Sequence, residues 1–157
     1  MNTLQAGDNA PSFKLENQNG EMVELSNLLS THQVLVYFYP KALTPGCTVQ
    51  AEQLRDHKAQ LAQHNTVAVG ISPDPVKKLK NFETKKELNF DLLSDEDHAI
   101  ADAFGVWGLK KFMGKEYDGI HRISFLIGQD GKVSHVFNKF KTKEHHQVVI
   151  DYLAEQA

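Results

Sequence analysis

Residues 34–48 read VLVYFYPKALTPGCT, and a change of pattern inside them sets the architecture. Val34 to Tyr39 is a short, continuous apolar run rich in β-forming side chains, as expected of a strand covered on both faces. Pro40 ends it, since proline cannot donate to a sheet ladder. After the connection KALTPG, residues Thr48 to Gln63 place Ala51, Leu54, Leu61 and Ala62 at helical spacing among charged and amide residues, which predicts an amphipathic helix. Thr66 to Ile71 (TVAVGI) predicts a second buried strand. Ser72-Pro73-Asp74-Pro75 follows, with Asp74 expected to cap a helix that opens on Pro75 and runs to about Glu87. Two strands joined by a helix of about 15 residues form a βαβ unit, which requires parallel neighbours and a right-handed crossover.

The flanking segments extend this unit. Ile123 to Ile127 and Lys132 to Phe137 surround Gly128-Gln129-Asp130-Gly131, whose Asp-Gly pair predicts an antiparallel hairpin. A last helix is expected from about Lys143 to Leu153, with Thr142 as its cap. Phe13 to Leu25 reads as an N-terminal hairpin turning at Asn19-Gly20. Ser94 to Asp97 resembles a capping box that opens a short inserted helix through Phe104. The resulting order, β-α-β-α followed by a β-hairpin and a helix, is that of the thioredoxin-like α/β fold. The expected architecture is therefore a mixed central β-sheet flanked by helices, with an N-terminal β-hairpin and an inserted helix, in one domain of residues 1–157.

The chain has 157 residues, 41% hydrophobic and 24% charged, a composition suited to one hydrophobic core that folds without staples. A formal charge of -3 gives no long-range attraction to nucleic acid or acidic membranes. Lys110-Lys111 and the Lys139 to Lys143 group read as solvated loop charges. No window approaches the roughly 18 apolar residues of a membrane span, and MNTLQAGDNAP lacks the basic and apolar regions of a signal peptide, so a cytoplasmic location is expected. The eight histidines form neither an HExxH motif nor a Cys/His ligand spacing, and no metal or organic cofactor is expected.

Cys47 is the only cysteine, so the fold cannot depend on a disulfide within the chain, and the residue is either inert packing or chemistry. It follows a strand end and a Thr-Pro-Gly turn, in the first turn of a helix. Free backbone N–H groups and the positive end of the helix dipole stabilise a thiolate there, and the thiolate is the reactive form. The residue three positions earlier is Thr44, so there is no Cys-x-x-Cys pair and the chain alone cannot carry out disulfide exchange. A thioredoxin-fold binding or chaperone module with an incidental cysteine is the competing reading.

Tyr37-Phe38-Tyr39-Pro40-Lys41-Ala42-Leu43-Thr44-Pro45-Gly46-Cys47-Thr48 resembles the peroxidatic loop of peroxiredoxins, with Pro40, Thr44 and Cys47 filling its Pro-x-x-x-Thr-x-x-Cys frame. Trp107-Gly108, Lys111-Phe112-Met113-Gly114-Lys115 and Tyr117-Asp118-Gly119-Ile120-His121-Arg122 are similar to the bacterioferritin comigratory protein subfamily, also called peroxiredoxin Q. The resemblance implies a thiol peroxidase acting on hydrogen peroxide or organic hydroperoxides, as a monomer or weak homodimer. It implies that Cys47 is the peroxidatic cysteine, Thr44 a hydrogen-bond partner of peroxide and thiolate, Pro40 a shield over the site and Arg122 the second charge partner. Chemistry supports these assignments. A guanidinium stays protonated and offers several donors, so it can hold a thiolate and a leaving oxygen together. A threonine hydroxyl both donates and accepts.

Many members of that subfamily carry a resolving cysteine five residues after the first, where this chain has Glu52. At ~100° per residue Glu52 lies roughly 140° around the helix from Cys47, and a carboxylate forms no disulfide. The expectation is a one-cysteine cycle in which an external thiol, from thioredoxin or from glutathione with glutaredoxin, reduces the sulfenic acid. His121 adjoins Arg122, but strand alternation should direct it to the opposite face. Phe112 and Met113 beside Trp107 read as an apolar lip near the pocket or as a partner contact.

Overall fold

In the computed structural model, which describes all 157 residues, the chain opens with the expected hairpin of β1 (Lys14–Glu16) and β2 (Met22–Glu24). Its turn is tied by Asn17, whose side-chain oxygen accepts the N–H groups of Asn19 and Glu21, and Gly20 takes the positive φ of 76° that the turn requires. A short helix α1 (Leu25–Leu29) leads into β3 (Gln33–Phe38). Next come α2 (Pro45–Asp56), α3 (Lys58–Ala62), β4 (Thr66–Ser72) and α4 (Val76–Lys86). The middle of the chain holds β5 (Asp91–Ser94) and α5 (Ala99–Phe104), then a hairpin of β6 (Trp107–Phe112) and β7 (Lys115–Ile120). It ends with β8 (Ser124–Ile127), β9 (Val133–Phe137) and α6 (His145–Gln156). No helix is long and apolar enough to cross a membrane.

The central sheet runs β5-β4-β3-β8-β9, with β3 parallel to β4, β4 parallel to β5, and the other pairings antiparallel. The continuous apolar run now has its cause. β3 is the middle strand, and each of its faces meets a separate core. Leu35, Tyr37 and Tyr39 pack with Leu54, Leu79, Phe82, Val149 and Leu153 of α2, α4 and α6. Val34, Val36 and Phe38 pack with Leu25, Leu29, Phe104 and Phe125 on the other side. In register, Tyr37 lies between Gly70 of β4 and Ser124 of β8. A Cβ on Gly70 would come within 2.8 Å of the Tyr37 Cζ and hydroxyl, so a side chain there would displace the ring.

Several boundaries differ from the sequence expectation. The helix carrying Cys47 starts at Pro45 rather than Thr48, because Thr44 is still extended (φ -78°, ψ 153°) and Pro45 is pre-organised for the first helical position. That helix also breaks at His57 (φ -114°, ψ 18°), where the ring Nδ1 lies 2.7 Å from the Gln53 carbonyl oxygen. Asp74 does not cap α4. Its carboxylate points the other way and accepts the Ala42 N–H and the Ser72 hydroxyl. Thr142 does not cap α6, which starts at His145. Ser94 ends a strand, and Asp95 accepts the N–H groups of Ile100 and Ala101 at the start of α5. Lys110 and Lys111 sit in a strand rather than a loop, and the Lys110 amine donates to the Ile120 carbonyl. Phe112 and Met113 stand exposed at the hairpin tip, whereas Trp107 at its base stacks on His98, so the three do not share one lip.

At the start of α6, His145 is fully buried with its Nε2 2.7 Å from the Ser124 hydroxyl. Burial, with His146 and the Arg122 guanidinium adding to it, pushes His145 from 6.5 down to about 3. An unfolded chain binds this proton near 6.5 and the folded chain only near 3, so the stability contribution is complete above the first value and is lost as pH falls towards the second. From this group the slope reaches roughly 1.4 kcal/mol per pH unit. Urea denaturation from about pH 7 to about pH 4 should show stability falling with acidification, and His145→Gln should flatten that decline. An equally steep decline in the variant would contradict the assignment.

Candidate active site

The chain leaves β3 through Tyr39, whose N–H still reaches the Ile71 carbonyl, and then crosses the sheet edge in a tight loop, residues 40–44. Leu43 takes a positive φ of 65°, a left-handed conformation that costs a branched residue about 1–3 kcal/mol and persists only where surroundings enforce it. The Thr44 carbonyl accepts the Thr48 N–H and opens α2, while the Thr44 hydroxyl donates to the Lys41 carbonyl at 2.7 Å. Pro40 is half-buried at the start of this loop.

Cys47 is the third residue of α2 and shares its buried face with Gln50, Ala51 and Leu54, the i, i+3, i+4, i+7 stripe of a core-facing helix. Its side chain is 1% exposed. The free N–H groups of this first turn and the helix dipole favour negative charge at the sulfur, and no acidic side chain in the turn opposes them.

Arg122 approaches from the segment between β7 and β8. Its Nη1 lies 3.4 Å from Cys47 Sγ and donates to Gln50 Oε1 at 2.8 Å. The other terminal nitrogen, Nη2, rests against Gly46, where a Cβ would sit 3.5 Å from it and equally close to Thr142 Cγ2. The guanidinium thus lies across the first turn of α2, and the space beside Gly46 would accept a Cβ at ordinary van der Waals distance from it. Lys110 adds a second cation. Its amine is half-buried, and burial with the nearby Arg122 lowers its pKa, while Cys47 raises it.

A buried polar layer lies behind the sulfur. Tyr37 and Tyr39 stack with ring centroids 5.5 Å apart, and Tyr37 also faces His145 at 5.7 Å. Burial raises the pKa of both phenols, so they stay protonated at neutral pH. The hydroxyls of Tyr37 and Tyr39, Nε2 of Gln50 and Nδ1 of His145 have no hydrogen-bond partner within the chain.

Of the four residues singled out in the sequence, the fold brings Cys47 and Arg122 into contact, and it places Thr44 and Pro40 on the loop that leads to the same helix turn. The Thr44 hydroxyl is turned to Lys41 in this conformation. His121 points away, with Nε2 3.1 Å from the Leu109 carbonyl oxygen, and Glu52 sits 3.9 Å from Arg55. Gln50 and Asp74 are the site residues that motif reasoning passed over. Gln50 carried one signal, an uncharged polar residue one turn after Cys47 on an otherwise apolar stripe. Asp74 carried none that separated it from a helix cap.

Residues 6–136 match the model of the AhpC/TSA family. Peroxiredoxin Bcp of Escherichia coli (strain K12) is 58% identical over 157 residues, the whole of both chains. The crystal structure of peroxidoxin BcpB from Mycobacterium tuberculosis superposes with a TM-score of 0.86 at 35% identity, covering 97% of each chain. Bacterioferritin comigratory protein of Xanthomonas campestris, whose structures address its alkyl peroxide reduction activity, superposes with a TM-score of 0.84 at 31% identity over 92% of this chain and 91% of that one. The fold, the cysteine at the head of α2 and these likenesses agree, and the chain belongs to the AhpC/TSA family as a peroxiredoxin of the Bcp type.

Proposed function

We propose that this peroxiredoxin reduces hydrogen peroxide and organic hydroperoxides through Cys47, in a one-cysteine cycle completed by an external thiol. The observation that carries the reading is the Arg122 Nη1 at 3.4 Å from Cys47 Sγ, on the turn where backbone N–H groups already favour an anion. An incidental core cysteine has no use for a guanidinium at that place.

In the first step the Cys47 thiolate attacks the terminal oxygen of the hydroperoxide. An S–O bond forms, the O–O bond breaks, and sulfur loses the two electrons that the peroxide gains. The product is Cys47 sulfenic acid, and the leaving alkoxide or hydroxide takes a proton from solvent. Arg122 holds negative charge first on sulfur and then on the leaving oxygen, and its bond to Gln50 fixes the guanidinium so that no reorientation is needed during the displacement. The Thr44 hydroxyl already donates to Lys41, so what it offers the peroxide is an acceptor lone pair for the O–H. Pro40 shields the loop side of the pocket from water.

In the second step an external thiol attacks the sulfenic sulfur, water leaves, and a mixed disulfide forms. A second thiol then releases reduced Cys47. With Glu52 where the subfamily carries its resolving cysteine, the chain supplies no second thiol. Thioredoxin, or glutathione with glutaredoxin, are the reductants that fit this chemistry. A single thiol that must be kept reduced suits the cytosol, and we take residues 1–157 to act there as one domain, a monomer or weak homodimer.

Intact mass after one equivalent of hydrogen peroxide should show the addition of a single oxygen atom, trapped by a sulfenic-acid reagent, in the wild type and not in Cys47→Ser. Peroxide consumption by reduced protein alone should stop after one equivalent per chain, and either thioredoxin with its reductase or glutathione with glutaredoxin should restore turnover. Sustained turnover without any added thiol would contradict the one-cysteine cycle.

A further inference from the structure

The loop that carries Pro40 and Thr44 is fastened to the rest of the fold at one buried point. Asp74 lies in the Ser72-Pro73-Asp74-Pro75 turn after β4, next to the exit of β3, and its side chain is buried. One carboxylate oxygen, Oδ2, accepts the Ala42 N–H at 2.8 Å and the Ser72 hydroxyl at 2.8 Å. Among the hydrogen bonds of residues 40–44, the one from Ala42 to Asp74 is the only one that reaches beyond the loop and α2.

The turn that supplies the carboxylate is itself held. Prolines on both sides of Asp74 restrict its backbone, its own N–H reaches Ser72 Oγ at 3.3 Å, and the Ser94 hydroxyl donates to its carbonyl at 2.7 Å. A buried carboxylate accepting a backbone N–H is a short, directional, charge-assisted contact. The residue it restrains, Ala42, precedes Leu43, whose left-handed conformation relaxes unless the loop is held.

Resting on the peroxidase reading above, we propose that Asp74 is a positioning residue for peroxide reduction. By fixing Ala42 it keeps Leu43 left-handed and sets where Pro40 and the Thr44 hydroxyl stand relative to Cys47 Sγ. It touches neither the sulfur nor the peroxide. Its effect therefore falls on a reaction that needs the loop, the displacement at peroxide oxygen, and spares one that needs only the thiolate.

The test compares two second-order rate constants on full-length reduced protein, oxidation by hydrogen peroxide and alkylation by iodoacetamide, in wild type, Asp74→Asn and Asp74→Ala. Misplacing a catalytic group by about 1 Å costs on the order of a hundredfold, so Asp74→Ala should oxidise ten- to a hundredfold more slowly, while alkylation does not slow. Asp74→Asn keeps an oxygen for Ala42 and loses the charge. It should fall between the two in peroxide rate, with faster exchange of the Ala42 amide. Peroxide oxidation at the wild-type rate in Asp74→Ala, or peroxide and alkylation rates that fall together, would overturn the proposal. Should Asp74→Ala fail to fold, Asp74→Asn decides on the same two rates. A wild-type chain that reacts with peroxide no faster than a free thiol would overturn the peroxidase reading itself, and that result is distinct from a fast wild type with an equally fast variant.

Discussion

A guanidinium laid across the first turn of a helix, 3.4 Å from a buried sulfur, is the contact around which this molecule is arranged. Neither partner is stable in that position alone. A buried thiolate without compensating donors is costly, and a guanidinium pressed against a core helix needs acceptors for its N–H groups. The helix N-terminus supplies part of the compensation, and Gln50 supplies an acceptor at 2.8 Å. Cys47, Gln50 and Arg122 thus form one electrostatic unit, assembled where the end of β3 lies beside the start of β8.

The sheet gives that unit a rigid base. β3 lies in the middle, so Tyr37 and Tyr39 are pinned between strands and helices while the chain beyond them is free to turn. Polar groups concentrate on the same side. Ser124 meets His145 at 2.7 Å, and the Tyr37 ring fills the space that Gly70 leaves open. The buried phenols of Tyr37 and Tyr39 and the imidazole of His145 stay neutral at neutral pH. The loop of residues 40–44 crosses this base in a conformation that Leu43 would not choose alone, and the carboxylate of Asp74 holds it there.

How much of this was legible in the sequence depended on whether the information was local. The two buried parallel strands, the Gly128 to Gly131 hairpin and the N-terminal hairpin were readable, because burial on both faces and Asn-Gly or Asp-Gly turns leave a mark in neighbouring residues. The β6 to β7 hairpin was not, since its residues are largely exposed, polar and without alternation. The site divided along the same line. Cys47 was marked by its place in the first turn of a helix, and it and Thr44 were singled out through the likeness of one short segment to the peroxidatic loop. The partnership of Arg122 with Gln50 joins residues 72 positions apart, and Asp74 looked like an ordinary helix cap until the fold placed Ala42 against it.

If Gln50 serves the sulfur only by holding Arg122, the two residues must act as one. A double-mutant cycle on the stopped-flow rate of Cys47 oxidation by hydrogen peroxide tests this, using Gln50→Ala, Arg122→Lys and the pair combined. Arg122→Lys should cost about 10²–10³ in rate, as expected for loss of a main oxyanion donor, and Gln50→Ala should cost severalfold in the wild-type background. The expected result is that the double variant reacts no more slowly than Arg122→Lys alone. Rate losses that multiply would show that Gln50 and Arg122 work independently and would contradict the arrangement described for Cys47.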